Sequence, residues 1–191
     1  MNKKLCMTLT LCALASLPIQ QALASDSPWS AGAALGQSYV KMGCDAAHTC
    51  DKSDSGFKLY GDYTVNPNFA VEAAYVELGE ASESNLTNEI FSAKTSGVAA
   101  YGIGVYPMEK LSLFAKLGLS SLTTKVSTPT TGNKSNSNTN IAWGFGAAYA
   151  LTDRIAVNAV WDLFKTQYKH TTVIDDTNGI DFVSVGLNYR F

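Results

Sequence analysis

Eight segments of the chain alternate between apolar and polar side chains, and this alternation restricts the possible folds more than any other feature of the sequence. Successive side chains of a β-strand point to opposite faces of a sheet, so each segment predicts a strand with one apolar and one polar face. The predicted strands cover roughly residues 29–40, 56–64, 69–78, 95–106, 111–124, 141–150, 155–164 and 180–191.

The chain also carries few charges. Charged residues make up 16% of the sequence, against roughly 25% in soluble domains, yet no stretch after residue 24 has the about 18 apolar residues of a spanning helix. Every backbone polar group inside a bilayer must be paired within the protein, so a closed barrel is the only spanning alternative to helices. The sequence therefore predicts an all-β fold, an eight-stranded antiparallel up-and-down transmembrane β-barrel.

The large apolar residues are expected at odd-numbered positions from end to end of this barrel. Examples are Trp29, Leu35, Phe57, Leu59, Tyr63, Val71, Tyr75, Leu113, Leu117, Trp143, Trp161, Val185 and Leu187. Their even-numbered neighbours are small or polar, which suits the narrow interior of eight strands. The polar face is therefore predicted to fill the lumen and the apolar face to meet lipid. A soluble lipocalin-like barrel would reverse the two faces, and a β-sandwich would not explain the lengths of the connections.

Tight and long connections alternate along the chain. The tight ones are 65–68, 107–110 and 151–154, and the long polar ones are about 41–55, 79–94, 125–140 and 165–179. An even number of strands places both termini in the periplasm, so the long loops face outward.

The orientation also predicts two belts of aromatic residues, because Trp and Tyr favour the membrane interfaces. The periplasmic belt is expected to contain Trp29, Tyr63, Phe69, Tyr149, Tyr189 and Phe191, and the outer belt Tyr39, Phe57, Tyr75, Trp143 and Trp161. Tyr101 falls near the middle of its strand and fits neither belt.

The first residues read as a signal peptide. Lys3 and Lys4 precede a short apolar run, and Ala22-Leu23-Ala24 is an A-x-A cleavage site, so cleavage is expected after Ala24 and the barrel domain is expected to cover 25–191. The alternative, lipidation at Cys12, lacks small residues before the cysteine. The chain has 14 basic and 16 acidic residues, and loss of the two lysines leaves a net charge of −4, which disfavours nucleic acid as a partner.

Two cysteines, Cys44 and Cys50, remain in the first long loop. Because exported proteins pass through an oxidising periplasm, we expect a disulfide between them, which would stabilise the fold by roughly 2 kcal/mol. The same loop contains His48 beside aspartates, a possible metal-ligand set, although no second cluster of Cys or His accompanies it.

An enzyme of this class would need a base near a nucleophile. The chain has only His48 and His170, both in predicted outer loops, where a lone histidine is usually a solvated residue. We therefore predict no catalytic site, no cofactor and no metal.

Six charged residues are expected to form a network in the lumen. They are Lys58, Asp62, Glu72, Lys116, Asp162 and Arg190. A charge in a narrow lumen must be paired or hydrated, so these residues either form neutralising pairs that block the barrel or line a narrow gated path for water and ions.

Four stretches together resemble the transmembrane barrel of the outer membrane protein A (OmpA-type) family over the whole mature chain. They are GFKLYGDY at 56–63, NPNFAVEAAYVELG at 66–79, GVYP at 104–107 and VGLNYRF at 185–191. The resemblance implies the same barrel fold. It also implies that Phe191, with Tyr189 as an alternating partner, is the signal read by the outer-membrane assembly machinery.

The sequence departs from this family in two places. The chain stops at Phe191, which predicts a stand-alone barrel without the peptidoglycan-binding domain that many relatives carry. The family's lumenal gate has a glutamate, a lysine, a second glutamate and an arginine. Glu72 matches the first, and the others align with Ile103, Ala148 and Asn158, so Lys116 or Arg190 is expected to be the partner of Glu72.

The leading functional interpretation is an integral outer-membrane protein that supports envelope integrity and exposes polar loops. A surface adhesin or resistance factor, a narrow gated channel and a lipid-modifying enzyme are the alternatives. The expected partners are outer-membrane lipid and lipopolysaccharide, the assembly machinery and, for the adhesin, host or matrix surface components.

Overall fold

The computed structural model describes residues 27–41, 49–51, 53–84, 89–127, 134–167 and 177–191. They form nine strands: β1 (Trp29–Val40), β2 (Thr49–Asp51), β3 (Ser53–Asn66), β4 (Phe69–Ser84), β5 (Glu89–Met108), β6 (Leu111–Ser127), β7 (Lys134–Ala150), β8 (Ile155–Gln167) and β9 (Thr177–Arg190). In these residues no helix has the length and apolar character needed to cross a membrane.

Eight of the strands close into an antiparallel barrel, as the sequence predicts. Each wall strand pairs with its neighbours along the chain, and β1 pairs with β9 to complete the circle. The strands are staggered as the barrel closes. A path from Trp29 through the directly paired residue of each successive strand returns to β1 at Tyr39, so the register shift around the barrel is ten residues. This stagger tilts the strands by roughly 40° to the barrel axis. The short strand β2 pairs with the outer end of β4.

The strands extend further outward than the sequence predicts. Strand β4 continues to Ser84, β5 begins at Glu89 and β7 begins at Lys134, so much of the predicted loops 79–94 and 125–140 is strand. Apolar residues stop recurring at every second position where the strands leave the hydrocarbon, because side chains on both faces of the sheet can be polar there. The hydrogen-bonded ladders continue beyond that point, and the sequence pattern does not reveal them.

The prediction of odd-numbered apolar residues holds for seven wall strands and is wrong for β5. Tyr101 and Ile103 point into the lumen, whereas Val98 and Tyr106 are exposed. The cause is the turn between β5 and β6, which has two residues because Met108 pairs with Leu111. Directly paired residues point to the same face, so a two-residue turn places even positions of β5 beside odd positions of β6. This reversal explains why Tyr101 fits neither aromatic belt.

The lumen differs between its two halves. The outer half is packed with buried apolar side chains, including Val76, Leu78, Leu122, Phe164, Ile180 and Phe182. The prediction of a small and polar interior is therefore wrong there, and it describes the periplasmic half, where a cavity of about 730 Å³ is lined mainly by polar and small residues. The interior of an eight-stranded barrel is just wide enough for side chains to fill it, and large buried apolar residues occupy its outer part.

Candidate functional site

Four charged side chains meet in the middle of the lumen. Lys58 Nζ lies 3.1 Å from Asp162 Oδ2 and 3.7 Å from Glu72 Oε1. Lys116 Nζ lies 3.1 Å from Glu72 Oε1 and 2.7 Å from Asp162 Oδ1. The contact of Lys116 with Asp162 is a close charge contact without hydrogen-bond geometry. Each lysine thus touches both carboxylates, and the charges of this lumenal charge cluster sum to zero.

The cluster draws on four different strands. Lys58 is on β3, Glu72 on β4, Lys116 on β6 and Asp162 on β8. Strand β7 lies between the last two, and its residue at that level is Gly144, paired with Lys116 on one side and Asp162 on the other. A Cβ atom at Gly144 would lie 2.7 Å from Asp162 Oδ1 and 3.1 Å from Lys116 Cε. The missing side chain at this position therefore allows the two charges to meet.

Burial makes the cluster sensitive to the loss of any member. The four side chains are between 0 and 6% exposed. Moving charges away from water costs several kcal/mol per ion unless each is compensated. Removal of one partner would leave a buried charge without its counter-ion, so the four residues act as one unit.

Two aromatic rings complete the environment of the lysines. Lys116 Nζ lies 4.5 Å from the centre of the Tyr101 ring, and Lys58 Nζ lies 5.0 Å from that of Tyr60. Both distances fit cation–π attraction. The Tyr60 hydroxyl accepts a hydrogen bond from Asn158 Nδ2 at 2.6 Å and donates to the Leu187 carbonyl. The sequence reasoning missed both tyrosines, although the misfit of Tyr101 with the belts was a signal of its inward position.

The structure places the other two charges proposed for the network elsewhere. Asp62 accepts hydrogen bonds from Asn188 Nδ2 at 2.8 Å and from Ser30 Oγ at 3.3 Å. Arg190 is exposed at the periplasmic end. Both line the periplasmic cavity, outside the four-residue cluster. The cation that contacts Glu72 is accordingly Lys116, joined by Lys58, and not Arg190.

The remaining sequence-predicted site residues lie at the ends of the barrel or outside the described residues. Tyr189 and Phe191 are exposed on the lipid-facing side of the periplasmic end, with their rings 5.5 Å apart. Cys50 is in β2, and its side chain is not described. Ala24, Cys44, His48 and His170 lie outside the described residues. In the part of the chain that is described, no group of three or more metal-ligating side chains occurs.

Comparison with protein families identifies the chain over almost its whole length. The family model described as "Outer membrane protein beta-barrel domain" matches residues 9–191. Outer membrane protein A of Salmonella typhi is 29% identical over 187 residues, which cover 91% of this chain and 51% of that protein. Outer membrane protein A of Shigella dysenteriae is 28% identical, with 99% and 56% covered. The chain thus spans about half the length of these curated relatives.

Solved structures with the same fold include outer-membrane barrels. Neisserial surface protein A matches with a TM-score of 0.61 at 17% identity, covering 88% of this chain and 100% of that one. The attachment invasion locus protein Ail of Yersinia pestis matches with a TM-score of 0.56 at 21% identity, covering 86% and 99%. Together with the closed wall and its lipid-facing apolar surface, these matches show that the chain belongs to the outer membrane protein beta-barrel domain family and is a multi-pass β-barrel of the outer membrane.

Proposed function

We propose that this barrel is a closed structural protein of the outer membrane that supports envelope integrity and holds polar loops at the cell surface. The observation that carries the proposal is the packed outer half of the lumen. The apolar residues of the outer half are almost fully buried, and the charge cluster crosses the lumen beneath them. The proposal assigns no catalytic role to the chain.

A lumen packed in this way opposes ion flow by two physical effects. A hydrophobic constriction excludes the water that an ion needs around it, and residues such as Phe164 and Phe182 are 1% and 0% exposed. The lysines of the charge cluster are neutralised by their carboxylates, so the cluster offers no unpaired charge to attract an ion. Both effects support a structural role over a channel.

Planar-bilayer recording of the purified protein tests this proposal. We expect no steady conductance from the wild-type barrel across the voltage range in which the bilayer itself is stable. A double variant, Phe164→Ala with Phe182→Ala, serves as the opened comparison. Reproducible unitary conductance from the wild-type protein would favour the narrow gated channel and reject the closed barrel.

The envelope role has its own test in cells. Deletion of the gene should increase sensitivity to detergents and bile salts, and a barrel with shortened outer loops should restore resistance. Normal resistance in the deletion strain would contradict the envelope role, whereas restoration only by the protein with intact loops would favour a surface-interaction function.

That second function is favoured by the outward projection of the wall. Strand β5 has 20 residues, about twice the 9–11 needed to cross the hydrocarbon, and β2 adds to the outer end of β4. This projecting sheet offers a surface for binding outside the membrane.

Binding of a sulfated ligand tests the surface function. Ail of Yersinia pestis has been solved with the heparin analogue sucrose octasulfate, which makes this compound a practical probe. Saturable binding of sucrose octasulfate that disappears when the outer loops are shortened would support an adhesin. Absence of binding to sulfated glycans would count against an adhesin that recognises such glycans.

A further inference from the structure

The periplasmic cavity of the lumen has a polar side and an apolar side. Asp62, Asn158 and Asn188 line it from the neighbouring strands β3, β8 and β9, which are joined through β1. Val105 and Phe114 line it from β5 and β6 on the other side of the lumen. The cavity volume of about 730 Å³ lies within the roughly 300–1,000 Å³ of small-molecule sites. The cavity therefore has the size and the two kinds of surface that a small amphipathic ligand needs.

Two buried oxygen atoms of this cavity accept no hydrogen bond from the described residues. They are Asp62 Oδ1 and Asn158 Oδ1, and Asn158 is only 7% exposed. Buried polar atoms in native proteins almost always have a hydrogen-bond partner, so each such atom calls for an explanation. A donor from outside the chain would provide one.

The hydrogen bonds of Tyr60 fix which atom of Asn158 is left unpaired. The Tyr60 hydroxyl has one proton, which it donates to the Leu187 carbonyl oxygen at 3.2 Å. It therefore accepts from Asn158, whose Nδ2 lies 2.6 Å away, and the amide oxygen is the unpaired atom. The other oxygen of Asp62 already accepts two hydrogen bonds. Both unpaired atoms are thus acceptors, and a matching ligand must carry N–H or O–H donors.

The surroundings of Asp62 favour a cationic donor. The residues paired directly with Asp62 across its two ladders are Ser30, a hydroxyl, and Glu72, a second carboxylate. Arg190 follows Ser30 in the same row, but it is exposed at the mouth of the cavity. Among the described residues no cation lies within ion-pair distance of Asp62. Because the lumenal charge cluster is neutral by itself, Asp62 adds one negative charge to the interior.

From these contacts we propose that the periplasmic cavity binds a small organic ammonium ion with an apolar body. The ammonium group donates hydrogen bonds to Asp62 Oδ1 and Asn158 Oδ1, and the hydrocarbon part packs on Phe114 and Val105. An inorganic cation would leave the apolar side of the cavity without a partner, and a neutral alcohol would leave the charge of Asp62 uncompensated. The ligand enters from the periplasmic turns and does not pass the packed outer half.

Nuclear magnetic resonance of asparagine side chains provides the test. The barrel is placed in lipid nanodiscs with ¹⁵N-labelled asparagine, so that the amides of Asn158 and Asn188 beside the proposed site report on binding. The probe is n-butylammonium. Tetramethylammonium has the same charge but no N–H donor, and 1-butanol has the same hydrocarbon but no charge. All titrations are made at one ionic strength, because screening changes the attraction between exposed charges.

We expect n-butylammonium to shift both amides saturably, and tetramethylammonium and 1-butanol to bind roughly tenfold or more weakly. Asp62→Asn should weaken n-butylammonium by a similar factor, because a hydrogen bond to a charged acceptor is lost. Asn158→Ala should weaken it by a smaller factor, read at Asn188. Asp153→Asn is the matched control, since it removes an exposed carboxylate from the mouth of the same cavity, and it should bind like the wild type.

Four results would overturn the proposal. Absence of saturable shifts would indicate a cavity that holds only water, and equal binding of tetramethylammonium would indicate a site for any cation. Unchanged affinity in both Asp62→Asn and Asn158→Ala would place the ligand elsewhere. An equal loss in Asp153→Asn would indicate general attraction to the mouth. A heat-dependent shift in gel mobility checks that each variant is folded.

Discussion

At the scale of single residues, the lumenal charge cluster is the part of the barrel whose chemistry is most tightly specified. Lys116 contacts both carboxylates of the cluster and packs on the Tyr101 ring. Each of these contacts depends on the same ammonium group, so small changes at this position should have large effects on stability.

Replacement of Lys116 by Gln should destabilise the barrel by about 3–5 kcal/mol, because Glu72 and Asp162 would then share only Lys58. Unfolding in urea, followed by the gel mobility shift of unheated samples, measures this loss. Lys110→Gln removes an exposed lysine in a periplasmic turn and should have little effect. Glu72→Gln should also be destabilising, and the double variant with Lys116→Gln should lose less than the sum of the two single changes. Additive losses, or an unchanged Glu72→Gln protein, would show that the charges do not act as a unit.

Gly144 offers a steric test of the same cluster. In Gly144→Ala the new methyl group would lie 2.7 Å from both Asp162 Oδ1 and the Trp161 carbonyl oxygen, so the wall or the ion pair must shift at a cost of about 1–3 kcal/mol. Gly61→Ala is the matched control, since its nearest atom would be 3.8 Å away. Equal stability of the two variants would contradict the packing described for the cluster.

At the scale of strands, a β-bulge shapes the outer end of β4. The register between β4 and β5 shifts between Glu77 and Glu80, and Gly79 has a φ of +76°. Asp54 on β3 holds this bulge by accepting a hydrogen bond from the Glu80 amide at 2.7 Å. The bulge is thus fixed by a side chain from the neighbouring strand.

Asp54→Ala should loosen the outer end of β4 while the rest of the barrel keeps its stability. The carboxylate accepts hydrogen bonds from the amides of Glu80 and Ser55, both near the outer ends of their strands, and a hydrogen bond to a charged acceptor is worth about 1.5–3 kcal/mol. Amide hydrogen exchange should accelerate around Glu80 and stay unchanged at the periplasmic ends of the strands. Ser55→Ala is the control, since its hydroxyl makes only a 3.5 Å contact with Asp54. Uniform acceleration across all strands would instead indicate global destabilisation.

The strands also show how far sequence reasoning reaches in this fold. All eight wall strands could be predicted, because lipid requires an apolar residue at every second position. The residues of β5 that face lipid could not be predicted in the same way. They depend on the register of β5 with both neighbours, since below the β4 bulge even positions of β5 pair with odd positions of β4 and of β6, and alternation does not specify the lengths of the two connections. The six charges named from the sequence include all four members of the charge cluster. Asp62 and Arg190 were added to them because they also occupy inward-compatible positions, and alternation does not specify how high along the tilted strands each charge lies. The apolar residues Phe164 and Phe182 sit at even positions and were visible as inward-facing, but the expectation of a polar lumen left them out.

At the scale of the whole molecule, insertion into the membrane is the property on which all others depend. The last residue, Phe191, lies exposed beside Tyr189 at the periplasmic end, where β9 closes the barrel against β1. We propose that this pair is read by the assembly machinery.

Phe191→Ala should slow assembly in cells without changing the stability of the finished barrel much, because the side chain is half exposed. Pulse-chase labelling with the heat-dependent mobility shift measures the rate, and Tyr106→Ala, at another exposed periplasmic aromatic, is the control. A normal assembly rate for Phe191→Ala, or an equal delay in the control, would contradict a specific role for the last residue.

The unequal filling of the lumen has an electrical consequence. The polar cavity of the periplasmic half opens at the periplasmic turns, whereas the outer half is packed with buried apolar side chains. A polar, water-accessible region conducts and polarises far better than packed apolar side chains, so most of any voltage across the outer membrane should fall over the outer half of this barrel. The charge cluster lies at the boundary, where the field is steep, whereas Asp62 and Arg190 sit in a region nearly at periplasmic potential.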